Sequence, residues 1–317
     1  MKSLLPSWDP LGPSFVLLWS SGYVVGSVAT RDIAPLTVTL WRFVVSAAVL
    51  AGIAWWRRES WPRNPKDVAL TVVTGVVAFA VQFCALYRAL ADGTPPATVA
   101  LFACSSPMLV ALVGAGLGWD RLSVRQWLGV ALGVLGVVVT LSDRLGRPPS
   151  AAALGWVLIG TGGLAGGSLL QARLLGRGGP TALTAVQVAA AALVTATWAP
   201  FAGSLAIPAE VSAWASFAWL AVFAGVVGPL MLFALIGRHG PTRGTSLLFL
   251  VPAVTAMVGW VLLREHVGSV AVLGLVVAGV GLWLGRRRTP PQPDPVPVVV
   301  AASDGATPTT ELCGQSN

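Results

Sequence analysis

One arginine lies inside an otherwise uncharged apolar run. Arg42 occurs in the segment LWRFVV, and no other charged residue is present from Ala34 to Trp56. An arginine keeps its proton under essentially all conditions, so this position carries a permanent positive charge. Two interpretations stay open. The side chain either faces a wet cavity and meets an anionic group such as a carboxylate, or it bonds to helix-end carbonyl groups as a structural residue.

Residue types that support covalent or metal chemistry are sparse within the apolar runs. The cysteines, Cys84, Cys104 and Cys313, lie far apart without a CxxC pair, and the two histidines are also distant from each other. Acidic residues lie at or near the ends of the runs, so paired carboxylates are missing inside them. We therefore expect no metal, no cofactor and no enzyme activity, and we interpret Cys84 and Cys104 as buried small apolar residues.

The composition indicates that lipid surrounds most of the folded chain. Of the 317 residues, 55% are hydrophobic and 10% are charged, and the mean hydropathy is +0.78. A soluble chain has about 25% charged residues. The net charge of +8 comes from basic residues between the apolar runs, which is a membrane pattern. Because no basic face with interleaved aromatic residues occurs, we expect the bilayer as partner and no nucleic acid.

Ten apolar runs approach the length of a membrane-crossing helix, roughly 17 to 25 residues. Backbone groups in lipid must be satisfied within the segment, so these runs predict helices and an all-α integral membrane protein. The predicted spans are about 13–30, 35–56, 68–90, 97–117, 124–141, 154–173, 181–201, 211–236, 244–263 and 269–285.

The sequence repeats at an offset of 145 residues. This offset places Pro35 on Pro180 and Pro107 on Pro252 without a gap. Matches of glycine and alanine mean little in so biased a composition, whereas prolines at one shared offset are harder to explain by chance. The repeat therefore predicts a duplication with five spans in each half.

The duplication predicts an inverted architecture. We divide the chain into a first half 1–145, a second half 146–285, and a Pro-rich polar tail 286–317 that we expect to be disordered in the cytoplasm. Five spans per half insert the second half upside down, which gives ten transmembrane helices in two inverted five-helix repeats. Arg42 is then equivalent to Gln187, and we expect both to face one central cavity from opposite sides.

Other side chains are candidates to line the same cavity. Trp19 and Tyr23 are four residues apart and share a helix face, and Gln82 and Gln171 also lie within apolar runs. For the aromatic pair, a belt at the membrane interface is the alternative. For Gln187, the alternative is a hydrogen bond between helices that only supports packing.

Two prolines interrupt the fourth and ninth runs. Pro107 and Pro252 each remove a backbone hydrogen bond and free a carbonyl group. Against lipid this would be costly, so we expect both helices to line the cavity, with Ser105 and Ser106 as hydroxyl donors. The alternative is a kink that serves packing only, in which a serine hydroxyl bonds to a backbone carbonyl group.

Glycine spacing predicts close helix packing. GxxxG spacings, as in Gly129/Gly133 and Gly281/Gly285, favour close contact within one chain, and a homodimer stays open as an alternative.

The distribution of basic residues predicts the orientation in the membrane. With the N-terminus in the cytoplasm, fourteen of the twenty lysines and arginines lie on the cytoplasmic side and five in outer loops. The positive-inside rule therefore predicts a multi-pass plasma-membrane protein with both termini in the cytoplasm.

Five segments between Pro13 and Gly285 have a recognisable pattern. They are WSSGYVVGS, LWRFVVSA, YRALADGTPPATVALFACSSPMLVAL, WDRLSVRQWLGVALGVLGVVV and GRHGPTRGTSLLFLVPAVTAMVGWVLLREHVGSVAVLGLVVAGVG. In these segments the sequence resembles the EamA family of the drug/metabolite transporter superfamily. The resemblance implies ten-helix permeases that carry small molecules. The family is defined by architecture and scattered positions, so the resemblance names no substrate.

These observations favour a secondary transporter without ATP hydrolysis. We expect it to export or exchange a small metabolite or drug by alternating access between the halves. If Arg42 lines the cavity, the substrate is anionic or zwitterionic. A channel, or a structural membrane partner without carrier activity, is the alternative, although no filter or ring motif of a channel is present.

Overall fold

The computed structural model describes residues 10–116, 123–142, 150–201, 203, 205–239, 247–264 and 268–285. All regular structure in these ranges is helical, and they contain no strand. The prediction of an all-α protein is therefore confirmed for these ranges. The predicted tail 286–317 lies outside the described residues.

The described helices are named α1 to α11 in chain order. Their bounds are α1 (Leu11–Asp32), α2 (Pro35–Trp56), α3 (Pro65–Gly75, Val76–Val81 and Gln82–Ala91 in direct succession), α4 (Pro96–Cys104), α5 (Ser106–Gly116), α6 (Val124–Ser142), α7 (Ala151–Ala172), α8 (Pro180–Trp198), α9 (Val211–Ala218, Trp219–Val227 and Gly228–His239 in direct succession), α10 (Val251–Leu263) and α11 (Ser269–Gly285).

Six helical stretches are long and apolar enough to cross a membrane. They are Leu11–Asp32, Pro35–Trp56, Pro65–Ala91, Ala151–Ala172, Pro180–Phe201 and Val211–Leu235. Four shorter apolar helices fall on the remaining predicted runs, namely Pro96–Val110, Val124–Thr140, Val251–Leu263 and Ser269–Gly281. Six predicted spans are thus confirmed, and the count of ten crossings remains a prediction.

Proline starts the two helices that carry Arg42 and Gln187. Pro35 and Pro180 occupy the first turn of α2 and α8, where their missing N–H has no intrahelical partner to lose. Four residues later, Thr39 donates to the Pro35 carbonyl at 2.7 Å, and Thr184 donates to the Pro180 carbonyl at 2.8 Å. The two helices therefore begin with the same local geometry.

Helices α3 and α9 each contain a π-helical segment. The segments are Val76–Val81 and Trp219–Val227, and the offset of 145 places the first inside the second. Such turns account for well under 1% of residues in proteins, so their recurrence at one offset supports the duplication. In α9 the Ser46 hydroxyl of α2 donates to the carbonyl oxygen of Ala221 at 2.8 Å. A side-chain donor from α2 thus satisfies a carbonyl within the segment.

Replacing Ser46 by alanine should lower stability modestly. Because the buried Ala221 carbonyl would lose its side-chain donor, we expect a loss of about 1 kcal/mol and a fall of a few degrees in the thermal unfolding midpoint. Ser168→Ala is the matched control, since this exposed hydroxyl bonds only to Leu164 one turn earlier. Equal midpoints for the two variants in the same detergent would contradict the prediction.

The prolines interrupt their helices as the sequence predicts. The chain breaks at Ser105 between α4 and α5, and Pro107 lies in the first turn of α5. Pro252 lies in the first turn of α10, directly after the 3-10 turn Leu247–Leu250. The Ser105 hydroxyl donates to the Phe102 carbonyl at 2.6 Å, which is the back-bonding alternative.

Glycines bring α6 and α11 into close contact. A Cβ at Gly136 would overlap Ala278, and a Cβ at Gly281 would overlap the backbone of Gly129 and Gly133. The predicted close contact of the Gly129/Gly133 spacing within one chain is therefore confirmed.

Candidate functional site around Arg42

Arg42 is buried in the helix bundle. It lies seven residues after Pro35, hence about 10 Å along α2, and its side chain is 5% exposed. Its Nη1 donates to the Tyr87 hydroxyl at 2.7 Å, and its Cζ lies 4.0 Å from the centroid of the Phe83 ring. Both partners come from α3, so α3 fixes the position of the guanidinium group.

The aromatic partners follow from the periodicity of α3. Phe79, Phe83 and Tyr87 are four residues apart and lie along one helix face. Ring centroids are 6.4 Å apart for Phe79–Phe83 and 6.0 Å for Phe83–Tyr87, while Phe43 of α2 lies 6.1 Å from Phe83. On α1, Gly26 allows the Tyr87 ring to approach, because a Cβ there would lie 3.2 Å from it.

The charge of Arg42 has no acidic partner among the described residues. Its Nε is buried and makes no hydrogen bond. Two ion pairs between described residues are Arg88–Asp92 and Arg177–Asp67, and neither involves Arg42. A buried charge without a counter-charge is costly in a medium of low polarity. The Nε of Arg42 is therefore an unused buried donor that an anion could pair with.

The α1 candidates lie beside this group. Tyr23 packs against the apolar cluster that contains Tyr87, and Trp19 packs together with Tyr23 against a second cluster. Tyr87 thus contacts the guanidinium group directly, and Tyr23 belongs to the packing around Tyr87. We name Arg42, Phe83, Tyr87, Tyr23 and Trp19 the arginine cluster.

The structure gives the glutamines a different environment. Gln187 is 2% exposed and donates from its Nε2 to Gln171 Oε1 at 2.7 Å. Its backbone packs on Gly75 of α3, where a Cβ would overlap it. Gly75 precedes Phe83 by eight residues, so this pair lies about 12 Å along α3 from the level of Arg42. Arg42 and the Gln187–Gln171 pair therefore form two separate polar groups at different levels along α3.

The remaining candidates lie elsewhere along the helices. Gln82 is buried where α3 packs on α7, and Ser106 is buried at the start of α5. Pro252 is buried, whereas Pro107 is exposed. Whether these residues line a cavity remains a prediction. In the ranges that the structure describes, no group of three His, Cys, Asp or Glu side chains is placed to hold a metal ion.

Sequence reasoning missed Phe83 and Tyr87. The available signals were the four-residue spacing of three aromatic residues in the third span and the presence of only two tyrosines in the chain. Neither signal specifies contact with the second span, which requires the packing of α2 on α3.

A second polar feature joins loops of the two halves. The Glu59 carboxylate, which follows α2, accepts hydrogen bonds from the backbone N–H of Thr181 at 2.8 Å and of Ala182 at 3.0 Å. A negative charge is favourable at this helix N-terminus, where backbone N–H groups are otherwise unpaired. Arg58, with a φ of 54°, forms the left-handed turn before Glu59. A Cβ at Gly179 would overlap the carboxylate.

Further contacts strengthen this junction. The Gly179 N–H donates to the Ser60 carbonyl at 2.8 Å. Arg177 forms an ion pair with Asp67 in the first turn of α3. We name the contacts of Glu59, Ser60 and Asp67 with the loop and first turn 177–182 the loop latch. It connects the α2–α3 loop to the α7–α8 loop.

Comparisons with known proteins support one family. The model of the EamA-like transporter family matches residues 7–142 and 151–285. The chain is 25% identical to a probable amino-acid metabolite efflux pump of Escherichia coli K12 over 85% of this chain and 91% of that protein. It is 25% identical to the uncharacterized inner membrane transporter YedA of the same organism, over 95% and 98%.

Two further likenesses cover different shares of the chain. The aromatic amino acid exporter YddG of Ancylobacter novellus is 30% identical over 43% of this chain and 46% of that protein. A solved crystal structure with 21% identity superposes with a TM-score of 0.64, over 87% of this chain and 94% of the other. This likeness concerns the fold. With two family matches that span most of its length, the chain belongs to the EamA-like transporter family and is a multi-pass membrane protein.

Proposed function

We propose that this protein is a secondary transporter that exports or exchanges a small carboxylate-bearing metabolite across the plasma membrane. The observation that carries the proposal is the buried Arg42, whose Nε has no partner and whose charge has no acidic neighbour among the described residues. Intramembrane charges of this kind commonly mark substrate pathways. The relatives named as an amino-acid metabolite efflux pump and an aromatic amino acid exporter fit a substrate with a carboxylate.

We propose alternating access between the halves 1–145 and 146–285 as the mechanism. The family model matches each half separately, and π-helical segments recur at one offset. Both observations support the duplication, and five spans per half would make the repeats inverted. The excess of basic residues favours cytoplasmic termini, so the loop latch would lie on the cytoplasmic side.

Counterflow tests the carrier function directly. Proteoliposomes loaded with unlabelled L-phenylalanine should transiently accumulate external labelled L-phenylalanine above its equilibrium level, whereas protein-free liposomes should not. A carrier exchanges one bound molecule for another, and a channel lacks this coupling. Saturable overshoot supports the proposal. Non-saturable equilibration without overshoot would indicate a channel, and no flux for both L-phenylalanine and 3-phenylpropanoate would contradict the carboxylate assignment.

A further inference from the structure

We infer that the arginine cluster recognises a single carboxylate and provides no counter-charge for an ammonium group. The substrate class is therefore a monocarboxylate with an apolar or aromatic body, with or without an α-amino group. This inference rests on the proposed function and adds the chemical selectivity of its site.

The unused edge of the guanidinium group fixes how the carboxylate binds. The Tyr87 hydroxyl accepts a hydrogen bond from Nη1 at 2.7 Å, and the Phe83 ring covers one face of the group, with its centroid 4.0 Å from Cζ. Nε is buried without a partner. Nε and Nη2 form the side edge of the fork, which matches the two oxygens of a carboxylate in a bidentate pair. The carboxylate therefore docks side-on at this edge.

An ammonium group finds no partner of opposite charge in the cluster. The acidic residues of the described chain lie at the ends of helices or in the adjoining loops. They are Asp32, Glu59, Asp67, Asp92 and Glu210. An ammonium group beside Arg42 would lose hydration and meet a like charge. An α-amino group on the substrate is therefore tolerated at best, and its removal should not weaken binding.

The body of the ligand meets aromatic and apolar side chains. Phe83 and Tyr87 contact the guanidinium group, Tyr23 packs against the apolar cluster of Tyr87, and Trp19 packs with Tyr23. Tyr23 also packs in the same apolar cluster as Cys104 of α4. Aromatic rings favour offset or edge-to-face contacts with another ring, so an aryl or branched aliphatic body fits this environment.

Tyr87 is a positioning residue in this arrangement. Its hydroxyl holds Nη1 and so directs the Nε edge away from itself. Tyr87→Phe keeps the ring but frees the guanidinium group to reorient. We expect about tenfold weaker binding of carboxylates, with the ratio between different carboxylates unchanged. Thr161→Val is the matched control, since it removes another buried hydroxyl, which bonds to the Val157 carbonyl of its own helix and lies outside the arginine cluster, and it should stay within about twofold of the parent.

Calorimetric titration of the purified full-length protein tests the inference with four probes. They are 3-phenylpropanoate, L-phenylalanine, 3-phenylpropanamide and 2-phenylethylamine. We expect 3-phenylpropanoate to bind at least as tightly as L-phenylalanine, and the amide and the amine to show no saturable binding. More than tenfold tighter binding of L-phenylalanine would overturn the inference and leave the proposed function intact.

Two controls separate the remaining outcomes. If neither carboxylate binds, or if Arg42→Ala binds both as well as the parent does, the proposed function fails together with the inference. Equal effects of Tyr87→Phe and Thr161→Val would overturn the positioning role of Tyr87. Thermal unfolding midpoints of all variants, measured without ligand, identify any variant that has lost its fold, and Tyr87→Leu then provides a second replacement that also removes the hydroxyl.

Discussion

Replacing Arg42 by alanine should reduce saturable counterflow at least about 30-fold with little change in the thermal unfolding midpoint. Removal of one partner from a buried, hydrogen-bonded charge pair costs about 2–5 kcal/mol, and each 1.4 kcal/mol is a factor of ten in affinity. The bound carboxylate would lose this much. The fold should lose much less, because the lost contacts with Tyr87 and Phe83 are offset by removal of a buried charge that has no acidic neighbour among the described residues.

The midpoint distinguishes the two interpretations of this arginine. A purely structural Arg42 would stabilise the bundle through Tyr87 and Phe83, so its loss would lower the midpoint. Arg42→Lys keeps the charge but lacks the planar fork, and we expect it to remain at least about tenfold below the parent. Unchanged flux in both Arg42 variants would remove the arginine from the transport site.

Arg88→Ala is the matched control for this series. Arg88 lies on α3, like Tyr87, but its side chain is 55% exposed and pairs with Asp92 at 3.3 Å. Exposed pairs contribute about 0–1 kcal/mol. We therefore expect flux and midpoint close to those of the parent. A loss of flux equal to that of Arg42→Ala would indicate a general sensitivity to charge rather than a specific site.

The helices could be predicted from the sequence because lipid restricts the backbone so strongly. Apolar length alone places α1, α2 and α7 close to their observed bounds. Arg42 could be found for the same reason, since a charge is conspicuous in an apolar run. In both cases the local hydrophobicity of the sequence is enough to indicate that lipid surrounds the segment.

The partners of the polar residues could not be predicted in this way. The repeat makes Arg42 and Gln187 equivalent, yet Gln187 bonds to Gln171 and Arg42 bonds to Tyr87. Equivalence under a duplication fixes a position on a helix but not which neighbouring helix faces it. Their expected places on opposite sides of one cavity therefore remain a prediction.

The irregular backbone segments could not be predicted from the sequence either. The π-helical segments in α3 and α9 occur in uniformly apolar stretches, where no periodicity marks an extra residue per turn. The loop latch depends on the left-handed turn at Arg58 and on the missing Cβ of Gly179. Neither the turn nor the glycine indicates, in the sequence, that Glu59 and Asp67 contact residues more than 100 positions later in the chain.

Cross-linking the loop latch should stop transport completely and reversibly. We would introduce Asp67→Cys and Arg177→Cys, whose parent side chains form an ion pair, after replacing Cys84, Cys104 and Cys313 by alanine. A bifunctional thiosulfonate then joins the α2–α3 loop region to the α7–α8 loop. Counterflow should fall to the level of protein-free liposomes and return after reduction. The separate single-cysteine variants should keep their flux under the same treatment.

The reason is geometric. In alternating access, the site must open to each side in turn, so contacts that join the two halves at one end must break once per cycle. The matched control cross-links Arg88→Cys to Asp92→Cys, which replaces an ion pair that lies within one half at the end of α3. That cross-link joins two neighbouring turns of one helix, so it does not restrain the two halves and should leave flux unchanged. Full flux with the latch cross-linked would mean that this end stays closed throughout the cycle, and the two halves would then have to separate elsewhere.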